Sequence, residues 1–206
     1  MRRPAAVAGT FYPADPETLR SELERYLQSE QPPQPALACV VPHAGIMYSG
    51  SVAGAVYARL ALPSTAIILA PNHRRWGAPL AVMTEGEWET PLGAVPIATG
   101  LARALRQACP ALVEDAEAHR FEHSLEVQLP FLQRRRRDLH FVPVGVGEDD
   151  YGALEALGRG VATVVREADP KPLIVASTDL NHYDPDPINR VKDRKVIEPI
   201  LALDPR

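Results

Sequence analysis

The 206-residue chain has 46% hydrophobic and 23% charged residues, a balance typical of folded globular proteins that argues against a disordered one. Its formal net charge of −4 argues against a broad nucleic-acid-binding surface. No stretch approaches the roughly 20 apolar residues of a membrane span, and two cysteines provide no disulfide framework. We therefore expect a cytoplasmic protein that binds neither nucleic acid nor a membrane.

The predicted elements alternate between strands and helices along the chain. The first helix is marked by Asp15 as N-cap and Pro16 in the first turn, followed by apolar residues at helical spacing. Helices are predicted over residues 16–29, 51–60, 100–108, 124–133, 150–168 and 188–201, and strands over residues 37–41, 66–70, 80–84, 94–97, 139–144 and 173–177. This alternation predicts a three-layer α/β/α fold with a mostly parallel sheet. No repeat or linker is evident, so we expect a single domain over residues 1–206.

Three of these predicted strands end just before a histidine. Residues 37–41 lead to His43, residues 66–70 lead to His73, and residues 173–177 lead to Asp179 and His182. The carboxyl ends of parallel strands share one edge of a sheet, and ligands bind in the crevice outside it. We therefore expect these four side chains to converge in one crevice.

The residue types at this edge suggest metal chemistry. Two neutral imidazoles, from His43 and His73, form the nitrogen half of a site for zinc, iron or copper. Asp179 and His182 could supply a further ligand, a group that orients a ligand, or a general base. The sequence leaves these roles open.

A second histidine motif lies at residues 119–123. His119, Glu122 and His123 match the H-x-x-E-H pattern of inverted zinc peptidases. That motif needs both histidines on one helix face, whereas the helical pattern here begins only at Ser124. We therefore expect Glu122 and His123 to support the crevice wall and His119 to face solvent or a loop. A zinc hydrolase is the least favoured function.

Several blocks of the sequence, in this order along nearly the whole chain, closely resemble the Memo family, whose prokaryotic members are called AmmeMemoRadiSam system protein B. The blocks are AGTFYP (8–13), PHAGIMYSGS (42–51), LAPNH (69–73), TPLG (90–93), EHSLEVQLPFL (122–132) and STDLNHY (177–183). The block at 122–132 is highly specific.

The resemblance implies a fold like that of the class III extradiol dioxygenases, which are non-haem iron enzymes. The family's two histidine metal ligands fall on His43 and His73. His123, Asp179 and His182 match other polar positions of the crevice, which makes them the candidate catalytic residues. The resemblance implies Fe(II) or copper as cofactor, with zinc as a further choice. It also implies AMMECR-type and radical SAM proteins as partners.

The family's third metal ligand is a cysteine beyond a Leu-Asp-Pro motif. Here Leu203-Asp204-Pro205 is followed only by Arg206, and neither Cys39 nor Cys109 matches that position. Two imidazoles hold a divalent metal weakly, so we expect weak or absent metal binding unless Asp179 fills the third position. Three functions stay open: a metal-dependent oxidoreductase, a binding module for a peptide or small ligand, resembling the phosphopeptide-binding animal member, and a zinc hydrolase.

Overall fold

The computed structural model describes residues 1–204; Pro205 and Arg206, which end the Leu-Asp-Pro-Arg stretch, lie outside the described residues. Its elements are, in chain order, β1 (Arg2–Arg3), α1 (Pro16–Tyr26), β2 (Ala38–Val41), α2 (Ile46–Ala58), β3 (Thr65–Pro71), β4 (Leu80–Val82), β5 (Glu87–Thr90), β6 (Gly93–Pro96), α3 (Thr99–Ala108), β7 (Val113–Glu114), a 3₁₀ helix (Glu117–His119), α4 (Gln128–Arg135), β8 (His140–Val146), α5 (Tyr151–Glu167), β9 (Leu173–Ser177) and α6 (Asp186–Ala202). The predicted helices and strands are present with shifted ends. The sequence pattern does not predict the short strands β1, β5 and β7.

The main sheet has six strands in the order β2-β9-β3-β8-β4-β7. Strands β2, β9, β3 and β8 are mutually parallel, and β4 runs antiparallel to β8. Helices α1, α2 and α4 contact one another, while α3 contacts α5. The predicted α/β architecture, a three-layer α/β/α fold with a mostly parallel sheet, is confirmed. Strands β1, β5 and β6 form a separate small sheet.

The centre of the main sheet is strongly apolar. Ile67 and Ile68 of β3 and Phe141 and Val142 of β8 are fully buried, as expected where helices cover both faces of a parallel sheet. This rigid centre fixes the position of the loop that follows β3. In the described part of the chain, no helix is both long enough and apolar enough to cross a bilayer.

Helix α2 begins at Ile46, five residues before the predicted start at 51. Glycines disfavour helix interiors, but Gly50 and Gly54 face Tyr26 of α1 so closely that a Cβ on either would clash with it. The two glycines therefore let α1 and α2 approach. The close contact offsets their low helix propensity.

Helix α4 begins at Gln128 rather than at the predicted residue 124. The Glu122 side chain accepts hydrogen bonds from the backbone N–H groups of His123 and Ser124, and the chain turns through residues 124–127. Pro130 then lies in the first turn, where its missing N–H needs no partner. The loop before α4 is thereby available to carry a functional side chain.

The N-terminal segment is tied to this loop by a buried ion pair. Arg3 donates to the Glu126 carboxylate at 2.5 Å and to the backbone carbonyls of His119 and Glu122 at 2.7 and 2.6 Å. Glu126 also accepts from the Tyr12 hydroxyl and from two backbone N–H groups of the N-terminal segment. These bonds hold both ends of the 119–126 segment in place.

Candidate metal centre

Three neighbouring parallel strands deliver their loops to one edge of the sheet. Strand β2 ends at Val41, β9 at Ser177 and β3 at Pro71, and the strand order places β9 between the other two. The residues that follow are His43, Asp179 and His73. Topology alone therefore brings segments far apart in sequence to one place.

Three imidazoles meet at this edge, and we call His43, His73 and His123 the histidine cluster. Each offers one ligand atom, and these atoms all lie within 4.8 Å of one another. The ring centroids of His43 and His73 are 5.2 Å apart, and that of His123 lies 4.7 Å from His73 and 5.7 Å from His43. The structure thus places His43 and His73 together, as expected. His123, which the resemblance places among the polar positions of the crevice, also lies here, and it comes from the loop before α4 and not from a strand end.

His73 is held by Glu122. The Glu122 Oε1 lies 2.9 Å from the His73 Nδ1, and Oε2 accepts the His73 backbone N–H at 2.7 Å. Burial opposes ionisation of Glu122, but hydrogen bonds from His73 and from the Ser124 N–H outweigh it and lower its pKa to about 2. The same bond to Glu122 raises the pKa of His73. Nδ1 is therefore engaged, and Nε2 is the nitrogen left to bind a ligand.

His43 lies deeper, with 2% of its surface exposed. Its Nδ1 is 2.9 Å from the Ser177 Oγ. Asp179 Oδ1 accepts the backbone N–H groups of His43 and Ala44 at 2.5 and 3.0 Å, and Oδ2 lies 3.7 Å from the His43 Nε2. Burial lowers the pKa of His43 to about 4, so the ring is neutral at neutral pH and able to bind a metal.

His123 completes the cluster from the loop that precedes α4. Its Nδ1 lies 3.3 Å from Glu122 Oε1, and its ring packs 4.5 Å from that of Phe11. Burial lowers the pKa of His123. Glu122 therefore lies beside two of the three rings.

The structure brings Asp179 to the cluster but does not bring His182 there. The His182 ring is exposed, its Nδ1 lies 3.0 Å from the Leu180 carbonyl, and the ring packs 4.4 Å from Tyr183. Among the described residues no contact joins His182 to the histidine cluster. Its catalytic role stays a prediction.

The expectation that His119 faces solvent or a loop is wrong. His119 is fully buried, with its ring 5.5 Å from that of Trp88. Gly145 leaves room for it, since a Cβ there would lie 3.3 Å from the ring Cε1. Burial lowers the pKa of His119 to about 4. The two histidines of the H-x-x-E-H match therefore point to different places, and the peptidase arrangement is not formed.

Two polar residues behind His43 were missed by the sequence reasoning. Ser177 and Gln128 are 3% and 0% exposed and hydrogen-bond to each other at 2.8 Å. A glutamine inside the apolar run of α4 was a signal, because a buried amide needs partners. Ser177 lay at the end of a predicted strand with no such signal.

The fold and this edge define an α/β protein with a candidate three-histidine metal centre. A family model described as Memo-like protein matches residues 3–206. A MEMO1 family protein of Methanopyrus kandleri is 43% identical over 99% of this chain and 77% of its own length. Another from Archaeoglobus fulgidus is 42% identical over 99% of this chain and 76% of its own length. The chain belongs to the Memo family.

Proposed function

We propose that this protein binds one Fe(II) or copper ion through His43, His73 and His123 and acts as a metal-dependent oxidoreductase. The observation that carries the proposal is the convergence of three imidazole ligand atoms within 4.8 Å of one another. The three side chains come from separate segments of the chain.

The donor set fits such an ion. Imidazole nitrogen suits iron, copper and zinc, and bonds of about 2.1 Å put tetrahedral ligands about 3.4 Å apart. The observed ligand atoms lie within 4.8 Å of one another, so metal binding requires the rings to move closer together. Metal-binding histidines usually carry a carboxylate or carbonyl on their other nitrogen, and Glu122 fills that place for His73. Zinc fits the same nitrogens, so the redox assignment rests on the family resemblance.

His123 changes the expectation about metal affinity. The resemblance assigns the third ligand to a cysteine beyond the Leu-Asp-Pro motif, outside residues 1–206. His123 offers a third nitrogen within the cluster, and three protein ligands are the usual set of a catalytic site. We therefore expect the 206-residue chain to bind a metal ion without the cysteine.

The neighbouring residues prepare the site for proton transfer. When bound, the ion supplies redox chemistry and open coordination positions for a substrate. Asp179 is fixed by two backbone N–H groups on Oδ1, which leaves Oδ2 facing the cluster beside His43. Oδ2 is therefore placed to accept a proton from a substrate bound at the cluster.

A binding module remains the second candidate. The His73 side chain is 41% exposed, so a ligand can reach the cluster at this histidine. Trp76 and Phe121, both partly exposed, pack with ring centroids 5.4 Å apart near the His73 loop. Such aromatic surface suits the capture of a ligand without chemistry.

Metal analysis and oxygen consumption separate these functions. We expect protein purified without chelator, then loaded anaerobically with Fe(II) or Cu(I), to hold one ion per chain. His43→Ala should lose that ion, and the matched control His119→Leu should keep it. An oxidoreductase that uses dioxygen, as the resemblance to the extradiol dioxygenases implies, also consumes oxygen when a substrate is supplied. Metal uptake with no oxygen consumption over a broad set of small reductants would favour the binding module, and no metal uptake would refute the proposal.

A further inference from the structure

The Ser177 hydroxyl lies at the centre of a buried hydrogen-bond network behind His43. Its Oγ is 2.7 Å from the Ser124 carbonyl oxygen, 2.8 Å from the Gln128 Nε2 and 2.9 Å from the His43 Nδ1. All four residues are at least 97% buried. Water is therefore unavailable to replace any of these partners, and every proton in the network has a defined place.

The direction of each hydrogen bond follows from its partners. A carbonyl oxygen only accepts, so the single hydroxyl proton of Ser177 points to Ser124. Gln128 Nε2 also lies 2.9 Å from the Pro42 carbonyl, which again only accepts, so the Gln128 amide nitrogen faces Pro42 and Ser177. The Tyr57 hydroxyl binds the Gln128 Oε1 at 2.8 Å and fixes the same orientation. Ser177 Oγ thus has only lone pairs left for His43.

We propose that Ser177 is a positioning residue that fixes His43 as the tautomer with its proton on Nδ1. The Nε2 lone pair then faces the histidine cluster and is ready to bind the ion, so the role of this tautomer rests on the proposed function. In the other tautomer, Nε2–H would have Asp179 Oδ2 as its acceptor at 3.7 Å. That distance is too long for a hydrogen bond, and a protonated Nε2 binds no metal.

Nitrogen NMR of metal-free protein reads the tautomer directly. In protein labelled with ¹⁵N-histidine, at about pH 8 where His43 is neutral, long-range proton–nitrogen spectra distinguish Nδ1–H from Nε2–H. We expect Nδ1–H for His43 in the wild type. Ser177→Ala should shift His43 toward Nε2–H, and Ser177→Thr, which keeps the hydroxyl, should restore Nδ1–H. His73 bonds to Glu122 and serves as the internal control, with an unchanged spectrum in both variants.

Metal affinity provides the second readout. Competition against a chromophoric chelator, with zinc as the probe, should show a 10- to 100-fold loss for Ser177→Ala, which is the usual cost of removing a group that orients a metal ligand. Ser177→Thr should bind within a few fold of wild type. A Ser177→Ala variant with unchanged affinity and an unchanged His43 tautomer would overturn the proposal.

The wild-type spectrum decides the question even where a variant fails to fold. His43 found as Nε2–H in metal-free wild-type protein would overturn the proposal by itself. The outcome also separates this inference from the proposed function. Wild-type protein with His43 as Nδ1–H that takes up no metal would support the hydrogen-bond assignment and refute the metal centre.

Discussion

The Glu122 carboxylate holds His73 at two points, through the ring Nδ1 at 2.9 Å and through the backbone N–H at 2.7 Å. The same carboxylate accepts the backbone N–H of His123 at 2.9 Å. One buried side chain therefore fixes two of the three histidines of the cluster. This explains how a loop that precedes a helix can contribute a ring to a site built on strand ends.

Replacing Glu122 by glutamine should weaken metal binding 10- to 100-fold. A glutamine side chain offers one oxygen where the carboxylate uses two. His73 therefore loses a charged partner, and the loop that carries His123 is held less firmly. Glu117→Gln is the matched control, because Glu117 is exposed and pairs with Arg120 at the surface. Isothermal titration calorimetry with zinc measures the metal affinity of both variants. Equal affinity of Glu122→Gln and Glu117→Gln would show that Glu122 has no role in the site.

His123 and His182 should differ in their effect on metal binding. His123 belongs to the histidine cluster, whereas the contacts of His182 go to Leu180 and Tyr183. We expect His123→Ala to lower zinc affinity by at least about 100-fold, as loss of one of three ligands does, and His182→Ala to leave it unchanged. A loss of zinc affinity in His182→Ala, with unchanged affinity in His123→Ala, would contradict this and place the metal at the loop after β9.

Loss of Arg3 should destabilise the fold strongly. Arg3→Met leaves the Glu126 carboxylate buried without its cation, and breaking a buried pair costs roughly 3–5 kcal/mol of unfolding free energy. Arg2→Met is the control, because Arg2 pairs with Glu87 at the surface and such pairs add little. Urea unfolding measures the free energy of unfolding of both variants. Equal urea midpoints for Arg3→Met and Arg2→Met would contradict the structural role of Arg3.

His119 should make the protein sensitive to mild acid. Its pKa is about 4 in the fold and about 6.5 in an unfolded chain, so the unfolded chain binds more protons between these values. The contribution of neutral His119 to the free energy of unfolding is fully present above about pH 6.5. It is lost as the pH falls toward 4, and the loss is on the order of 3 kcal/mol. His119→Leu should unfold at the same or higher urea concentration at neutral pH and lose less stability at pH 5. If His119→Leu loses as much stability at pH 5 as the wild type does, other groups cause the acid sensitivity.

The sequence predicted the sheet, the helices that cover it and the approach of His43 to His73. These features depend on local pattern and on one rule about strand ends, so they need no knowledge of distant contacts. The family resemblance placed His123 in the crevice, but its place in the cluster depends on a bend stabilised by Glu122. The partner of Arg3 lies 123 residues away in the chain. Such contacts form only in three dimensions. The buried His119 was missed for the same reason, because the space beside Gly145 is not visible in a linear motif.

The most direct test is the position of the bound ion. Crystals of the protein soaked with zinc, and measured above and below the zinc absorption edge, locate the metal by its anomalous signal. We predict a single strong peak about 2.1 Å from one nitrogen of each of His43, His73 and His123. A fully loaded crystal with no peak among these three rings, or with a peak bound by only two of them, would contradict the three-histidine centre.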